Sequence, residues 1–185
     1  MKTLSLVESE NWIAGTQAGR ERLVITDERS VRLAHKNGFS FRIPESTSQR
    51  IMLAKLIHAL LPKTGETLIL VREWSVWKST EHLPLFYRFR QACGDAHLLI
   101  ERPGQVLANE NVDDITSLCL CGLLFLWDVL IVPDDGSIGI YFSHDEIAYA
   151  GATHESSVRD LQRFLDTRHL DYQSFDSIRD TRHVA

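Results

Sequence analysis

The amino-acid sequence predicts an α+β fold: a central, largely antiparallel sheet with packed helices and a β-hairpin region near the N-terminus. Residues 127–132 belong to an apolar run that does not alternate and is too short to cross a bilayer, which is typical of a strand buried on both faces. A Pro-Asp-Asp-Gly-Ser turn at 133–137 leads into the β-rich segment 138–143, so the two segments are expected to form an antiparallel hairpin. Apolar side chains recur every three or four positions between 112 and 123, which predicts a helix packed on the sheet.

Composition bounds the class of protein. The 185 residues are 44% hydrophobic and carry a formal net charge of -5. This composition supports a sizeable core and predicts one α+β domain over 1–185, with 1–45 as a candidate β-rich subdomain. A negative net charge disfavours nonspecific nucleic-acid binding, which needs a basic surface. No segment resembles a signal peptide or a membrane span, and three cysteines lack a framework spacing, so we expect a cytoplasmic protein without membrane or nucleic-acid partners.

The first part of the chain is expected to contain short strands followed by a helix. Hydrophobicity alternates on both sides of Asn-Gly at 37–38, and both turn residues tolerate positive φ, so 31–43 is predicted to be a hairpin. Further short strands are expected near the N-terminus and at 23–25. A Ser-x-x-Gln sequence at 46–49 has the spacing of a capping box and predicts the start of a helix.

The middle of the chain is expected to supply a second central strand and another helix. Residues 67–73 are rich enough in apolar side chains to form a strand inside the sheet. In the helix after this strand, Arg88 and Arg90 fall off the apolar stripe and should face solvent. A short strand is expected at 97–101. Apolar spacing predicts a last helix over 158–165, and the polar chain after it should fray.

The most reactive-looking side chains are His144, Asp145 and Glu146, directly after the segment 138–143. At the end of a central strand, His144 is a candidate base or metal ligand that a neighbouring carboxylate would orient. The competing interpretation is a capping box, in which Ser143 and Glu146 satisfy free backbone amides at the start of a helical turn. Adjacent side chains point in different directions, so these three cannot all converge on one ion.

A second candidate site lies at Glu73, Trp74 and Trp77. The two indole rings could form an aromatic binding wall, with Glu73 as its polar anchor. The competing interpretation is that the rings pack into the core at a strand end, because each ring buries a large apolar area.

No other motif indicates a common active site or metal centre. Cys119 and Cys121 would diverge on a helix, and no second ligand pair occurs at zinc spacing. Asp134 and Asp135 are explained by turn formation. The chain has no nucleophile elbow, no phosphate-binding glycine loop, no His-Glu-x-x-His and no dinucleotide fingerprint. We therefore expect no metal and no cofactor.

Several short motifs occur in a characteristic order between residues 68 and 146. These motifs are Glu73-Trp74-Ser75-Val76-Trp77, Leu85-Phe86-Tyr87-Arg88, Gly94-Asp95, Pro103-Gly104, Trp127-Asp128 and Ser143-His144-Asp145-Glu146. In this stretch the chain resembles a family of uncharacterised bacterial proteins with no assigned activity. The resemblance implies a bacterial origin and a shared fold, and it implies nothing about chemistry. The chain departs from the pattern at Ser75, where glycine is expected, and at Lys78, where proline is expected.

Two functions remain open from the sequence. The lack of catalytic motifs, the acidic charge and the two tryptophans favour a non-catalytic module that binds or regulates another protein, and a toxin-neutralising protein is one version of it. The alternative is a hydrolase in which His144 acts as general base, oriented by Asp145 or Glu146. The sequence does not decide whether the protein is an enzyme, and it does not give the oligomeric state.

Overall fold

The computed structural model describes residues 1–16, 30–31, 35, 37–74 and 83–175 of the chain. Five helices lie in this part: α1 (Leu6–Thr16), α2 (Thr47–Leu60), α3 (Leu83–Ala92), α4 (Val112–Phe125) and α5 (Glu155–Thr167). Eight strands accompany them: β1 (Lys2–Leu4), β2 (Asn37–Arg42), β3 (Glu66–Glu73), β4 (Gly104–Ala108), β5 (Asp128–Pro133), β6 (Ile138–Phe142), β7 (Ile147–Ala152) and β8 (Tyr172–Ser174). None of the helices in these ranges is both long and apolar enough to cross a membrane.

The eight strands form one sheet in the order β1-β4-β3-β5-β6-β7-β2-β8. The strand pairs are antiparallel, so the predicted α+β fold with a largely antiparallel sheet is confirmed. The predicted hairpin of β5 and β6 lies in the middle of this sheet, with β3 on its other side. Its turn is also as predicted, because Gly136 has a φ of 58° and the Asp135 carboxylate accepts a hydrogen bond from the Ser137 amide at 2.9 Å.

Strand β5 is buried along its whole length because both faces of the sheet are covered. Val129 and Ile131 belong to the larger apolar cluster, to which α2, α3, α4 and α5 contribute. Leu130 and Val132 point the other way, into a smaller cluster to which α1 contributes Ile13. Strand side chains alternate between faces, so a strand covered on both faces needs apolar residues at every position. This is why the run does not alternate in sequence.

Glycine lets α4 approach the sheet closely, as its position on the apolar face suggests. A Cβ atom on Gly122 would lie 2.8 Å from Cγ2 of Val129 in β5 and 3.4 Å from Cδ2 of Phe142 in β6. The first of these distances is shorter than real Cβ contacts allow. The helix that covers the central hairpin therefore depends on the missing side chain.

The N-terminal region differs from the prediction in its pairing. Asn37 and Gly38, the predicted turn residues, are the first two residues of β2, and this strand pairs with β7 and β8. Gly38 has no positive φ; a Cβ there would lie 2.6 Å from the carbonyl oxygen of Ala150, so close strand packing explains this glycine. Val31 is helical, and the predicted strand at 23–25 lies outside the described residues. Residues 6–16 form α1, a helix that the sequence pattern did not predict.

A capping box is present, but at a position where the sequence analysis did not predict one. The Ser5 amide donates to the Glu8 carboxylate at 2.7 Å, and the Glu8 amide donates to the Ser5 hydroxyl at 3.2 Å, which is the reciprocal arrangement that starts α1. The predicted helices α2 and α4 are confirmed, but neither Ser46 nor Asn111 makes a side-chain capping bond.

Two further predictions, a strand at 97–101 and a frayed chain after α5, are wrong for the described residues; residues 176–185 lie outside the described part of the chain. Residues 97–101 form a turn, in which the Glu101 amide donates to the Leu98 carbonyl at 3.1 Å. The chain after α5 forms β8 on the edge of the sheet, and Phe175 beside it is 1% exposed. Burial of that ring in the smaller cluster gives the segment an apolar anchor, although its other residues are polar.

Arg90 is buried, whereas the sequence predicted it in solvent. Its exposed fraction is 0%, and it lies on the same side of α3 as the core residue Phe86. Its Nε donates to Asp95 Oδ2 at 2.9 Å, and its Nη1 donates to the carbonyl of Arg102 at 2.9 Å. The guanidinium is thus paired and hydrogen-bonded, which is the condition under which a charge can be buried. Arg88 is exposed, as predicted.

Candidate functional site

Three strand ends meet at one edge of the central sheet. Because β3 and β6 each pair antiparallel with β5, on its two sides, the end of β3, the start of β5 and the end of β6 lie together. Glu73 is the last residue of β3, Asp128 is the first residue of β5, and His144 follows the end of β6 by two residues. In the register of the sheet Glu73 is opposite Asp128, next to an irregularity between Val71 and Glu73. The sheet therefore brings together three ionisable side chains that are 55 and 16 positions apart in the chain (73 to 128 and 128 to 144).

Asp128 holds the imidazole of His144 in a fixed orientation. Its Oδ1 accepts a hydrogen bond from the His144 backbone amide at 2.6 Å and lies 2.9 Å from Nδ1 of the ring. With a proton on Nδ1, the ring donates to the carboxylate and keeps the lone pair of Nε2 free. The His144 side chain is 25% exposed and the Asp128 side chain 11%, so Asp128 forms the buried side of this pair.

The same three residues form a group that could hold a metal ion. One potential ligand atom from each of Glu73, Asp128 and His144 lies within 4.8 Å of the others, and within the described ranges this is the one such group of three or more. One imidazole with two carboxylates suits a divalent ion such as Zn²⁺ or Mn²⁺. Oδ1 of Asp128 already accepts two N–H donors from His144, so an ion ligated by Nδ1 would have to displace one of them.

The surrounding carboxylates change the pKa of His144. Partial burial of the ring lowers it, but the hydrogen bond to Asp128 and the negative charges of Asp128, Asp145 and Glu73 outweigh burial. The net result is a pKa above the ordinary value of 6.5. A raised pKa makes the ring a stronger base, which favours its taking up a proton from a neighbouring group.

We expect Asp128→Asn to lower the pKa of His144, because the substitution removes the largest favourable interaction of the imidazolium. The stabilisation from protonated His144 is fully present below pH 6.5 and is lost as pH rises through the raised folded pKa. The unfolding free energy of the native chain should therefore fall over that window, and that of Asp128→Asn should fall less. NMR titration of the His144 ring and denaturant unfolding at several pH values measure both effects.

Glu45→Gln, outside this cluster, should leave the titration of His144 unchanged. An unchanged His144 pKa in Asp128→Asn would contradict the assignment of Asp128 as the partner of the ring.

The two other candidates in this segment play different roles from the predicted ones. Ser143 to Glu146 form the turn between β6 and β7, so the predicted capping box is wrong. Glu146 takes a φ of 62° and its carboxylate accepts a hydrogen bond from Arg42 at 2.9 Å, which directs it away from His144. Asp145 is exposed, with Oδ1 3.6 Å from Nε2 of His144. Of the two predicted orienting carboxylates, Asp145 lies near the ring but does not hold it.

Of the tryptophan pair, Trp74 is described and Trp77 lies outside the described residues. Trp74 directly follows β3, is half-buried and packs against the larger apolar cluster. This placement agrees with the packing interpretation for Trp74, while Glu73 beside it belongs to the site at the sheet edge.

Sequence reasoning missed Asp128 as a site residue, although it picked out both of its neighbours in space. Asp128 stands at the first position of an otherwise apolar strand, where a carboxylate is costly to bury without a partner. This cost could have pointed to Asp128 from the sequence. A charged residue at the start of a strand that is buried on both faces implies a specific partner at the edge of the sheet. The predicted hairpin already places the start of β5 beside the end of β6, but the register that brings Asp128 to the ring of His144 is set only in the folded sheet.

No protein-family model, curated protein or solved structure matches this chain. The resemblance to a family of uncharacterised bacterial proteins therefore stays a prediction. Any functional conclusion has to come from the geometry of the site.

Proposed function

We propose that this protein is a hydrolase in which His144 acts as the general base and Asp128 orients its imidazole. The observation that carries the proposal is the contact between Nδ1 of His144 and Oδ1 of Asp128 at 2.9 Å, which leaves Nε2 available to accept a proton. Asp128 thus takes the role that the sequence suggested for Asp145 or Glu146. The cytoplasm is the compartment in which we propose that it acts.

The proposed reaction uses water as the nucleophile. In the described part of the chain, no serine, threonine or cysteine side chain is hydrogen-bonded to the His144 ring. In the proposed step Nε2 takes a proton from a water molecule as that water attacks the carbonyl carbon of an ester or amide. The imidazolium is stabilised by Asp128, and by the charges of Asp145 and Glu73. It then returns the proton to the leaving oxygen or nitrogen.

The position of the site also supports a role in chemistry. The ring is three-quarters buried, and polar side chains from three strand ends converge on it. Ligand sites are typically recessed places where a few polar groups converge. Two contacts with one aspartate, from the backbone amide and from Nδ1, fix the orientation of the ring as a general base requires.

The test is hydrolysis of a panel of fluorogenic ester and amide substrates by the purified chain. We expect His144→Ala to lower the rate of a cleaved substrate by about 10²–10⁴-fold, the usual contribution of a general base. Asp128→Asn should lower it as well and shift the pH profile to lower pH. His154→Ala, which removes an exposed histidine outside the site, should have no effect. Loss of activity on adding a chelator would instead assign Glu73, Asp128 and His144 to a metal ion, and equal rates for native and His144→Ala protein would exclude the proposal.

A second candidate is the protein-binding or regulatory module, with toxin neutralisation as one version. It is favoured by exposed apolar side chains on α3 and the loop after it: Leu85 is 62% exposed, Leu98 48% and Ile100 73%. The loop is held on α3 by a hydrogen bond from the Leu99 amide to the Tyr87 hydroxyl at 3.2 Å. Exposed apolar residues held on a rigid element are typical of protein interfaces. In that case Leu85→Ser with Ile100→Ser would abolish partner binding, and His144→Ala would not.

A further inference from the structure

A groove of about 450 Å³ lies beside the candidate site. Its walls come from β2, the segment that enters β8, and the turn between β6 and β7. It reaches the candidate site through Asp145, which lines the groove and also lies 3.6 Å from Nε2 of His144. A group bound in the groove would therefore be adjacent to the proposed base.

The groove is lined by apolar surface below and by negative charge at its rim. Phe41, Ile147 and Tyr172 supply the apolar part, and Ile147 is 37% exposed. Asp145 and Asp171 are both exposed, and neither is paired with a lysine or arginine within the described ranges. This combination suits a ligand with an aliphatic stem and a cationic head, since such side chains lay the stem on apolar surface and keep the charge at the rim.

The positive charge of Arg42, which lines the groove, is neutralised by an ion pair with Glu146. Arg42 is the only lysine or arginine among the described residues that line the groove, and its Nη2 lies 2.9 Å from Oε2 of Glu146. Of the two carboxylates at the rim, Asp145 lies 3.6 Å from Nε2 of His144, and neither is paired with a lysine or arginine in the described part of the chain, so the groove keeps an excess of negative charge. Complementary charge selects partners by attracting the opposite sign and repelling the same sign.

We propose that this groove binds an arginine or lysine side chain of a peptide substrate, next to the bond that is cleaved when His144 activates water. This inference rests on the proposed function, because it assigns the groove to the substrate of that site. The stem lies on Ile147 and Tyr172, and the cationic head meets Asp145 and Asp171. Substrate preference then follows from charge at the rim.

The test measures binding of N-acetyl-arginine amide by NMR, with N-acetyl-citrulline amide as the neutral molecule of the same shape and agmatine as a free amine. We expect the arginine compound to shift the resonances of Ile147 and Tyr172 and to bind about fivefold more tightly than the citrulline compound. Asp145→Asn with Asp171→Asn should weaken arginine binding by about fivefold as well. Asp113→Asn, which removes an exposed carboxylate on α4, is the matched control and should change nothing.

The outcomes separate this inference from the proposed function. His144→Ala should lower the rate of hydrolysis by about 10²–10⁴-fold but leave arginine binding unchanged, because the side chain of His144 is not part of the groove. Equal affinity for arginine and citrulline compounds, or no binding by an active enzyme, would overturn the groove assignment and leave the proposed function standing. Agmatine binding more tightly than the acetylated amide would overturn the assignment to a peptide side chain.

Discussion

Replacing Arg90 with alanine is expected to destabilise the protein by about 3–5 kcal/mol, the usual cost of breaking a buried ion pair by removing one partner. Arg90 is fully buried, and Asp95 is 9% exposed. The substitution leaves the Asp95 carboxylate buried without its guanidinium, and it also leaves the Arg102 carbonyl without its donor. The substitution also removes the cation–π contact in which the guanidinium carbon of Arg90 lies 5.6 Å from the centroid of the Phe86 ring.

Denaturant unfolding of Arg90→Ala and Arg88→Ala gives a matched comparison on one helix. Arg88 is exposed, so its replacement should stay within about 0.5 kcal/mol of the native value. An equal change in the free energy of unfolding for the two substitutions would show that the buried Arg90–Asp95 pair makes no specific contribution to stability. Asp95→Asn should resemble Arg90→Ala, because it leaves the guanidinium as the unpaired charge.

The same pair should make the protein sensitive to acid. Burial alone raises the pKa of Asp95, but the hydrogen bonds from His97 and Arg90 outweigh it and hold the pKa well below the ordinary value of 3.8. A lowered folded pKa means that this stabilisation is present above pH 3.8 and is lost as pH falls through the folded pKa. Arg90→Ala should therefore show a smaller loss of stability over that acid range.

Replacing Trp127 with alanine is expected to cost about 3–5 kcal/mol, as for other large aromatic side chains removed from a core. Trp127 is 1% exposed and lies between the end of α4 and the start of β5. Its ring meets Phe86 of α3 edge to face at 5.2 Å and 77°, and it is 5.3 Å from the ring of Phe125. The cavity left by Trp127→Ala would therefore lie between α3 and the central sheet.

Thermal and denaturant unfolding measure this effect, with Leu85→Ala as the exposed control on α3. Trp127→Phe should be milder than Trp127→Ala, because it keeps an aromatic ring in the same space. Since Asp128 is the next residue, Trp127→Ala should also broaden or shift the NMR resonances of His144. A decrease of less than about 1 kcal/mol in the free energy of unfolding would mean that neighbouring side chains fill the space left by the ring, and that Trp127 does not position β5.

The candidate site illustrates how far residue types and spacing can predict function. His144 was predicted from its position after a central strand and Glu73 as the polar anchor of a tryptophan pair, and both lie in the site. The predicted hairpin places the start of β5 beside the end of β6, but Asp128 was missed because the register that brings it to the ring of His144 is set only in the folded sheet. The Ser-x-x-Glu spacing at 143–146 predicted a capping box, but the chain continues into β7 there. The same spacing does cap α1, so its structural role depends on whether the next residues form a helix or a strand.

Local patterns in the sequence alone determined the central hairpin, the helix that precedes it and the antiparallel α+β class, because the period of hydrophobicity and the turn residues act over a few neighbouring positions. Only the tertiary structure decided which strand pairs with β2, why Arg90 is buried and which carboxylate holds His144. Those outcomes depend on contacts between residues distant in the chain, where a buried charge or a close backbone approach is stable only when a particular partner is present.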